Sequence, residues 1–297
     1  MKVISKNRVI YSFSRDLKPV DYVDLNEPIV LETEDALGGQ VKSEDFSLDK
    51  LDWSKVNPAT GPIYINGVKK GDTLVVNILD IEVADKGVIL VVPGYGILGE
   101  KKFSSRVKIV KINGDFIDFN GIKLKTRPSI GTIGVAPPGD PIPTAVPYTH
   151  GGNLDCKELV KGTKLYLPVF VDGALFAAGD LHAVQADGEL CVASIEVAGR
   201  VLLKFDVIRG KQPRWPIIET DDKFLLLTSD ESIEKAIKIA SEEAINAIVN
   251  AKRWTFEEAY MFSSLSIDIA INQVVDPKKG ARAEIPKDII TVNDLLS

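Results

Sequence analysis

A mainly β chain is what the sequence predicts: antiparallel sheets in a sandwich or barrel, with a smaller C-terminal α+β portion containing one long helix. Three observations carry that prediction. Runs rich in β-branched residues recur up to about residue 210. Asn-Gly and Asp-Gly pairs separate many of them. Helical periodicity is confined to the C-terminal part.

The first clear strand is Asp72–Ile81, which opens after the turn Lys70-Gly71-Asp72; Val88–Val92 is a short apolar run. Further strands are expected at Val107–Ile112, Leu165–Val171, Cys191–Val197 and Val201–Ile208. Asn66-Gly67, Asn113-Gly114, Asn120-Gly121 and Asp187-Gly188 read as hairpin turns. No regular alternation of strand and helix occurs, which disfavours a doubly wound α/β sheet, and no internal repeat is visible. Pro128–Gly152 stands apart, since 11 of its 25 residues are Gly or Pro. It reads as a long ordered loop that lines a site, or as a connector between two sheets.

Thr228 with Glu231 has capping-box spacing before a long helix, whose apolar positions are Ile233, Ala236, Ile237, Ala240, Ala244, Ile245 and Ile248. Thr255 with Glu258 repeats the box before a second, short helix. Alternation then returns at Ile267, Ile269 and Ile271. The chain divides into residues 1–127, 128–220 and 221–297, expected to form one compact functional unit.

Composition excludes several functions. Of 297 residues, 36 are Lys or Arg and 42 are Asp or Glu, a formal net charge of −6. That balance, with no basic stripe, argues against a nucleic-acid partner. No apolar stretch is long enough to span a membrane, and no signal-like h-region follows the N-terminal charges. A cytoplasmic protein is the expectation. Two cysteines, Cys156 and Cys191, cannot build a disulfide framework or a Cys-rich zinc module. Four glutamines and two methionines beside abundant Ile, Val, Lys and Glu give a thermophile-like composition.

The two histidines, His150 and His182, each lie among acidic and amide residues. In His150-Gly151-Gly152-Asn153-Leu154-Asp155 the glycines allow a tight turn or a close approach to a ligand. In Gly179–Glu189, Asp180 and His182 share a face if they lie on a strand, and the same spacing relates Asp187 to Glu189. Imidazole and carboxylate together suit a first-row divalent metal; alternatively a carboxylate acts as general base without metal. The plain alternative is a hairpin turn with two ordinary hydrogen-bonded histidines. Gly94-Tyr95-Gly96-Ile97-Leu98-Gly99 satisfies a GxGxxG pattern, but a β run follows where a dinucleotide site needs a helix. Cys156, beside Asp155, is a candidate nucleophile with His150 as base, or a buried inert thiol; Cys191 reads as core.

These blocks, with Asn57–Pro62, Gly71–Val76 and Gln273-Val274-Val275-Asp276, resemble the acetamidase/formamidase family, and the resemblance runs from about Phe13 to Ile285. It implies hydrolysis of a small linear amide to a carboxylic acid and ammonia on a β-sandwich-like scaffold. It also implies a divalent metal ion, zinc being the best match and calcium an alternative, and a homo-oligomer. Carried over residue by residue, it points to His150, Asn153, Asp155, Asp180, His182, Gln185 and Glu189 as the site, with Asp35 in a further matching block. The mechanism expected of them has His182 and Asp180, with His150 or Asp155, hold the metal. Glu189 or Asp35 becomes the general base. Asn153 or the Gly151-Gly152 backbone donates to the oxyanion, and Gln185 joins the substrate site. Two departures bear on substrate preference: Tyr11-Ser12-Phe13-Ser14 stands where some members have His and Trp-Asp, and Ala186 where the family usually has Gly. The rival readings are a non-catalytic small-ligand or metal-binding β-sandwich, and a hydrolase of another small amide-like compound such as urea.

Overall fold

A computed structural model describes residues 1–296. Its strands form a nine-stranded sheet, an eleven-stranded sheet and a minor two-stranded pair. The first sheet centres on Thr73–Val83 and Gly199–Ile208, which run antiparallel from Gly199 opposite Val83 to Ile208 opposite Thr73. It draws strands from all three portions of the chain, through Lys164–Pro168 in the middle to Lys223–Asp230 and Lys279–Pro286 near the end.

Period-two alternation explains how the layers close. Leu74, Val76 and Ile78, with Leu203 and Phe205, face the second sheet and meet Ile63, Ile130, Ile133, Phe176 and Leu181 there. Val75, Tyr166, Ile217, Phe224 and Ile285 point the other way. They are covered by helix α1 (Ile233–Lys252) through Ala240, Ala244, Ile245 and Ile248. Strands covered on both faces read as continuous apolar runs, which is why Thr73–Val76 lacks visible alternation.

The expected hairpins at Asn113-Gly114 and Asn120-Gly121 are present. Asn120 and Gly121 both take positive φ, as a two-residue hairpin turn with this twist demands. Helix α2 (Phe256–Ser266) starts on the Thr255–Glu258 capping box. Helix α1 begins later than expected. Its N-cap is Ser232, while Thr228 stays in a strand and donates from Oγ1 to the Ala236 carbonyl. The strand's pairing with Lys279–Pro286 continues to Asp230 and overrides the local capping signal.

Three other expectations are corrected. Pro128–Gly152 is not one long loop, because Ser129–Gly134 is a wholly buried strand. Its glycines serve close packing: a Cβ on Gly131 would stand 2.6 Å from the carboxylates of both Asp155 and Asp180, and one on Gly134 2.7 Å from the His150 carbonyl. Cys191–Val197 is irregular except for Glu196–Val197, and Cys191 is half-buried. Asp187-Gly188 is no hairpin turn; Gly188 bridges Gln273 in parallel, and Asp187 and Glu189 part company. No described helix is long and apolar enough to cross a membrane.

Candidate active site

The site lies on the second sheet, where three neighbouring strands converge. Phe176–His182 carries Asp180 and His182 on one face and pairs with Ser129–Gly134, which in turn pairs with Gly151–Asn153. On its other side His182 sits opposite Glu196. Cross-strand neighbours bring side chains close, and His182 Nε2 is 3.3 Å from Glu196 Oε2 and 3.3 Å from Asp180 Oδ1. Asp155 Oδ1 and Glu189 Oε1 each lie 3.9 Å from the same nitrogen.

Each acid is aimed by neighbours. Asn153 Nδ2 donates to Asp155 (2.7 Å) and to Asp276 (3.0 Å), while its Oδ1 accepts from Thr132 Oγ1 (2.5 Å). Asn57 Nδ2 donates to Asp180 (3.2 Å). Ser194 donates its hydroxyl to Glu189 (2.5 Å) and its backbone N–H to Glu196 (2.8 Å). Gln185 Nε2 donates to the Asp155 carbonyl (2.8 Å), which turns its Oε1 toward His182 Nδ1 at 3.2 Å. The Nδ1 proton therefore goes to Gln185, and in the neutral ring Nε2 is left as an acceptor facing the acids.

The electrostatics follow from burial without enough positive charge. Burial, reinforced by the negative charges of Glu189 and Asp180, pushes Asp155 and Asp276 well above the usual carboxylate range. Burial also raises Glu189, and lifts Glu196 to about 8. Asp180 goes down despite burial, because the His182 charge and hydrogen bonds favour its ionised form. Burial alone would lower His182, but Glu196 and Asp180 raise it well above its ordinary value. Three carboxylate oxygens, Asp155 Oδ1, Asp180 Oδ1 and Glu196 Oε2, have no hydrogen-bond partner, and all three face His182 Nε2.

That donor set fits a divalent metal. Asp155, Asp180 and His182 offer ligand atoms within 4.8 Å of one another, as do His182, Glu189 and Glu196. Bonds of about 2.0–2.1 Å at tetrahedral angles put neighbouring donors about 3.3 Å apart, the spacing found here for His182 with Asp180 and with Glu196. Orphaned buried oxygens aimed at one point are otherwise energetically costly.

The remaining sequence candidates fall elsewhere. His150 is fully buried, its ring nitrogens have no partner, and it packs edge-on against Phe13 with centroids 5.0 Å apart. Burial pushes it down to about 3, and it does not join the acids. Asp35 turns away: its Oδ1 accepts from the backbone N–H groups of Leu37 and Gly39, and burial raises it. It shapes the loop whose Ala36 and Leu37 line the cavity. Gly151 already donates its N–H to Tyr148, and a Cβ on Gly151 or Gly152 would stand 2.3 or 2.2 Å from a backbone oxygen. These glycines permit close strand packing. Both N–H groups of the Asn153 amide are committed to carboxylates, so neither is free for an oxyanion. The Cys156 thiol is buried and pushed up to about 11, a poor nucleophile.

Two site residues escaped the residue-by-residue reading. Glu196 is the single acid in the run Cys191–Val197, and only strand pairing sets it opposite His182. Asp276 ends the segment Gln273-Val274-Val275-Asp276, and only the fold brings it to Asn153. The cavity above the acids is about 210 Å³, below the roughly 300–1,000 Å³ of pockets for drug-sized ligands. Its lining combines the acids with the apolar side chains of Leu37, Val56, Leu90 and Val192.

Comparison with known proteins agrees in sequence and in fold. The model of the Acetamidase/Formamidase family matches residues 3–142 and 139–292. The crystal structure of acetamidase from Bacillus halodurans superposes with a TM-score of 0.95 at 37% identity, covering 97% of this chain and 100% of that one. A formamidase of Methylophilus methylotrophus is 26% identical, the match covering 92% of this chain and 87% of that protein. A Schizosaccharomyces pombe protein with a provisional formamidase name is 26% identical, and there the match spans 66% of this chain but only 63% of the relative.

Proposed function

The chain belongs to the acetamidase/formamidase family, and from that premise we propose that it cleaves a small linear amide to the carboxylic acid and ammonia with the help of a divalent ion. It is a hydrolase of linear amides, as the relatives named formamidase and acetamidase support. The observation that carries the metal reading is the convergence of three unpartnered carboxylate oxygens on His182 Nε2.

Asp155, Asp180, His182 and Glu196 would hold the ion, with Glu189 beside them. Zinc matches a donor set with imidazole better than calcium, which prefers oxygen alone. Bound there, the ion supplies positive charge that neutralises the acids and polarises an amide carbonyl. The chain's own groups do the rest. Glu189 lines the cavity, and burial raises its affinity for a proton. It takes a proton from water as the new C–O bond forms and returns one to nitrogen as the C–N bond breaks, releasing ammonia. Gln185 fixes the His182 tautomer, and Asn153 ties Asp155 to Asp276.

A cytoplasmic setting and a homo-oligomer belong to the same reading. Two free cysteines suit a reducing compartment, and the exposed Phe256, Tyr260 and Leu265 on α2 suit a surface covered by another subunit.

The test is ammonia release from formamide, acetamide and urea by purified protein, with its metal content measured. Short amides are expected to be turned over, and His182→Ala and Glu189→Ala, folded and soluble, to lose turnover. Full turnover in either variant would refute the assignment; turnover by metal-free protein would refute the metal's part.

A further inference from the structure

Two sequence features remain without a role in the chemistry: the Gly94–Gly99 motif and the Asp35 loop. Both lead to the mouth of the cavity. Gln40 brackets the chain at Asp52, its Oε1 accepting from the Asp52 N–H (2.9 Å) and its Nε2 donating to the Leu37 carbonyl (2.9 Å). This fixes the short turn Trp53–Lys55 against the Asp35 loop, where a Cβ on Gly38 would stand 2.7 Å from the Lys55 carbonyl.

On the opposite side, the Gly94–Gly99 loop is pressed onto the segment that follows Glu189. Ile97 donates its N–H to the Leu190 carbonyl (2.9 Å), and a Cβ on Gly96 would stand 2.3 Å from the Cys191 carbonyl. Each loop delivers one ring. Trp53 and Tyr95 stack with centroids 5.4 Å apart and planes 5° from parallel. Both rings line the cavity, yet they stay 44% and 48% exposed. Rings left this wet contribute little to the core, and of the motif's glycines it is Gly96 that lets the loop dock so closely.

We propose that the Trp53–Tyr95 stack is the specificity-determining wall of the site, limiting it to amides with short, unbranched acyl groups. The proposal rests on the amidase reading of the same cavity. An amide group turned toward the acids would leave its acyl chain among the apolar lining, Leu37, Val56 and Leu90, and the two rings of the same cavity. A methylene that meets a fixed wall changes discrimination by about 10–200-fold. The rings are held by two loops that are themselves tied down, so the wall cannot yield cheaply.

The experiment measures kcat/KM for formamide, acetamide, propionamide, butyramide and benzamide with wild type, Trp53→Ala, Tyr95→Ala, Trp53→Phe and Tyr95→Phe. Wild type is expected to fall steeply with acyl length. In the alanine variants the butyramide-to-acetamide ratio rises about tenfold or more, chiefly through KM. The phenylalanine variants keep a ring at each position and retain the wild-type profile, which a merely structural role would not require. An unchanged ratio in both alanine variants, with acetamide still hydrolysed, overturns this proposal and leaves the amidase reading standing. No turnover of any amide by wild type overturns both.

Discussion

Arg282→Met tests how the C-terminal portion holds the site. Arg282 is 2% exposed and makes a fork with Asp187, Nη1 to Oδ1 at 2.8 Å and Nη2 to Oδ2 at 3.0 Å. It also donates from Nη1 to Asn272 (2.8 Å) and from Nε to Glu284 (2.8 Å). Removing one partner of a buried ion pair typically costs about 3–5 kcal/mol, since the other charge is left without compensation. The Asp187 side chain is 31% exposed and also meets Lys157, so the expected loss is at the lower end, about 3 kcal/mol. Activity should fall too. Arg282 clamps Asp187 and Asn272, and between them the Gly188 N–H donates to the Asn272 carbonyl, one residue before Glu189. A displacement of this kind lowers kcat by up to about 100-fold. Equilibrium denaturation and amide turnover are measured on Arg282→Met and Arg282→Lys; lysine keeps the charge without the fork and should fall between. A methionine variant within about 0.5 kcal/mol of wild type, the range of an ordinary surface substitution, would refute the buried-clamp argument. A destabilised variant with unchanged kcat would refute its connection to Glu189.

Three further outcomes follow from the same geometry. Gln185→Ala frees the His182 tautomer and is expected to lower metal affinity or turnover about 10–100-fold, read by metal titration and kinetics. Asp72 is held below the usual carboxylate range, since the Gly210 and Lys69 N–H groups and the Arg209 guanidinium outweigh its burial. Its stabilisation is full above the unfolded value of about 3.9 and is lost as pH falls through the lower folded value. Asp72→Asn should therefore cost about 1–3 kcal/mol at neutral pH, with the gap to wild type closing below about pH 4 in acid-denaturation curves. Cys156, its thiol pushed up to about 11 by burial, should resist alkylation in the native protein, and Cys156→Ala should keep its turnover; stoichiometric labelling with inactivation would contradict this.

What was legible in the sequence was local. Asp180 and His182 share a face because a strand repeats every two residues, and the Asn120-Gly121 and Thr255–Glu258 signals act within four residues. What was illegible depended on register. Glu196 becomes a neighbour of His182 only through strand pairing, and Asp276 reaches the site only through Asn153. His150 sits in a family block with Asn153 and Asp155, yet it packs against Phe13 while they face the acids. The glycines of Ser129–Gly134 suggested a loop because a sequence does not distinguish glycine needed for a turn from glycine needed for close approach. At Gly131 the approaching groups are the carboxylates themselves.

Backbone and chemistry chose the site residues jointly. Among the described residues, nine other than glycine take the left-handed conformation, and four of them line this cavity: Asn57 (φ 48°), Asp155 (φ 41°), Asp180 (φ 56°) and Glu189 (φ 38°). Such conformations cost of order 1–3 kcal/mol each unless the side chain tolerates them, and Asn and Asp tolerate them best. Three of the four positions are Asn or Asp, so their backbone needs and their polar roles coincide. Glu189 is the exception. Aspartate would suit that backbone better, yet the position carries the longer acid, hydrogen-bonded to Ser194 and reaching to 3.9 Å from His182 Nε2. The less tolerant residue there makes sense if reach is what the position requires, and reach is what the proposed role of general base beside a divalent ion would need.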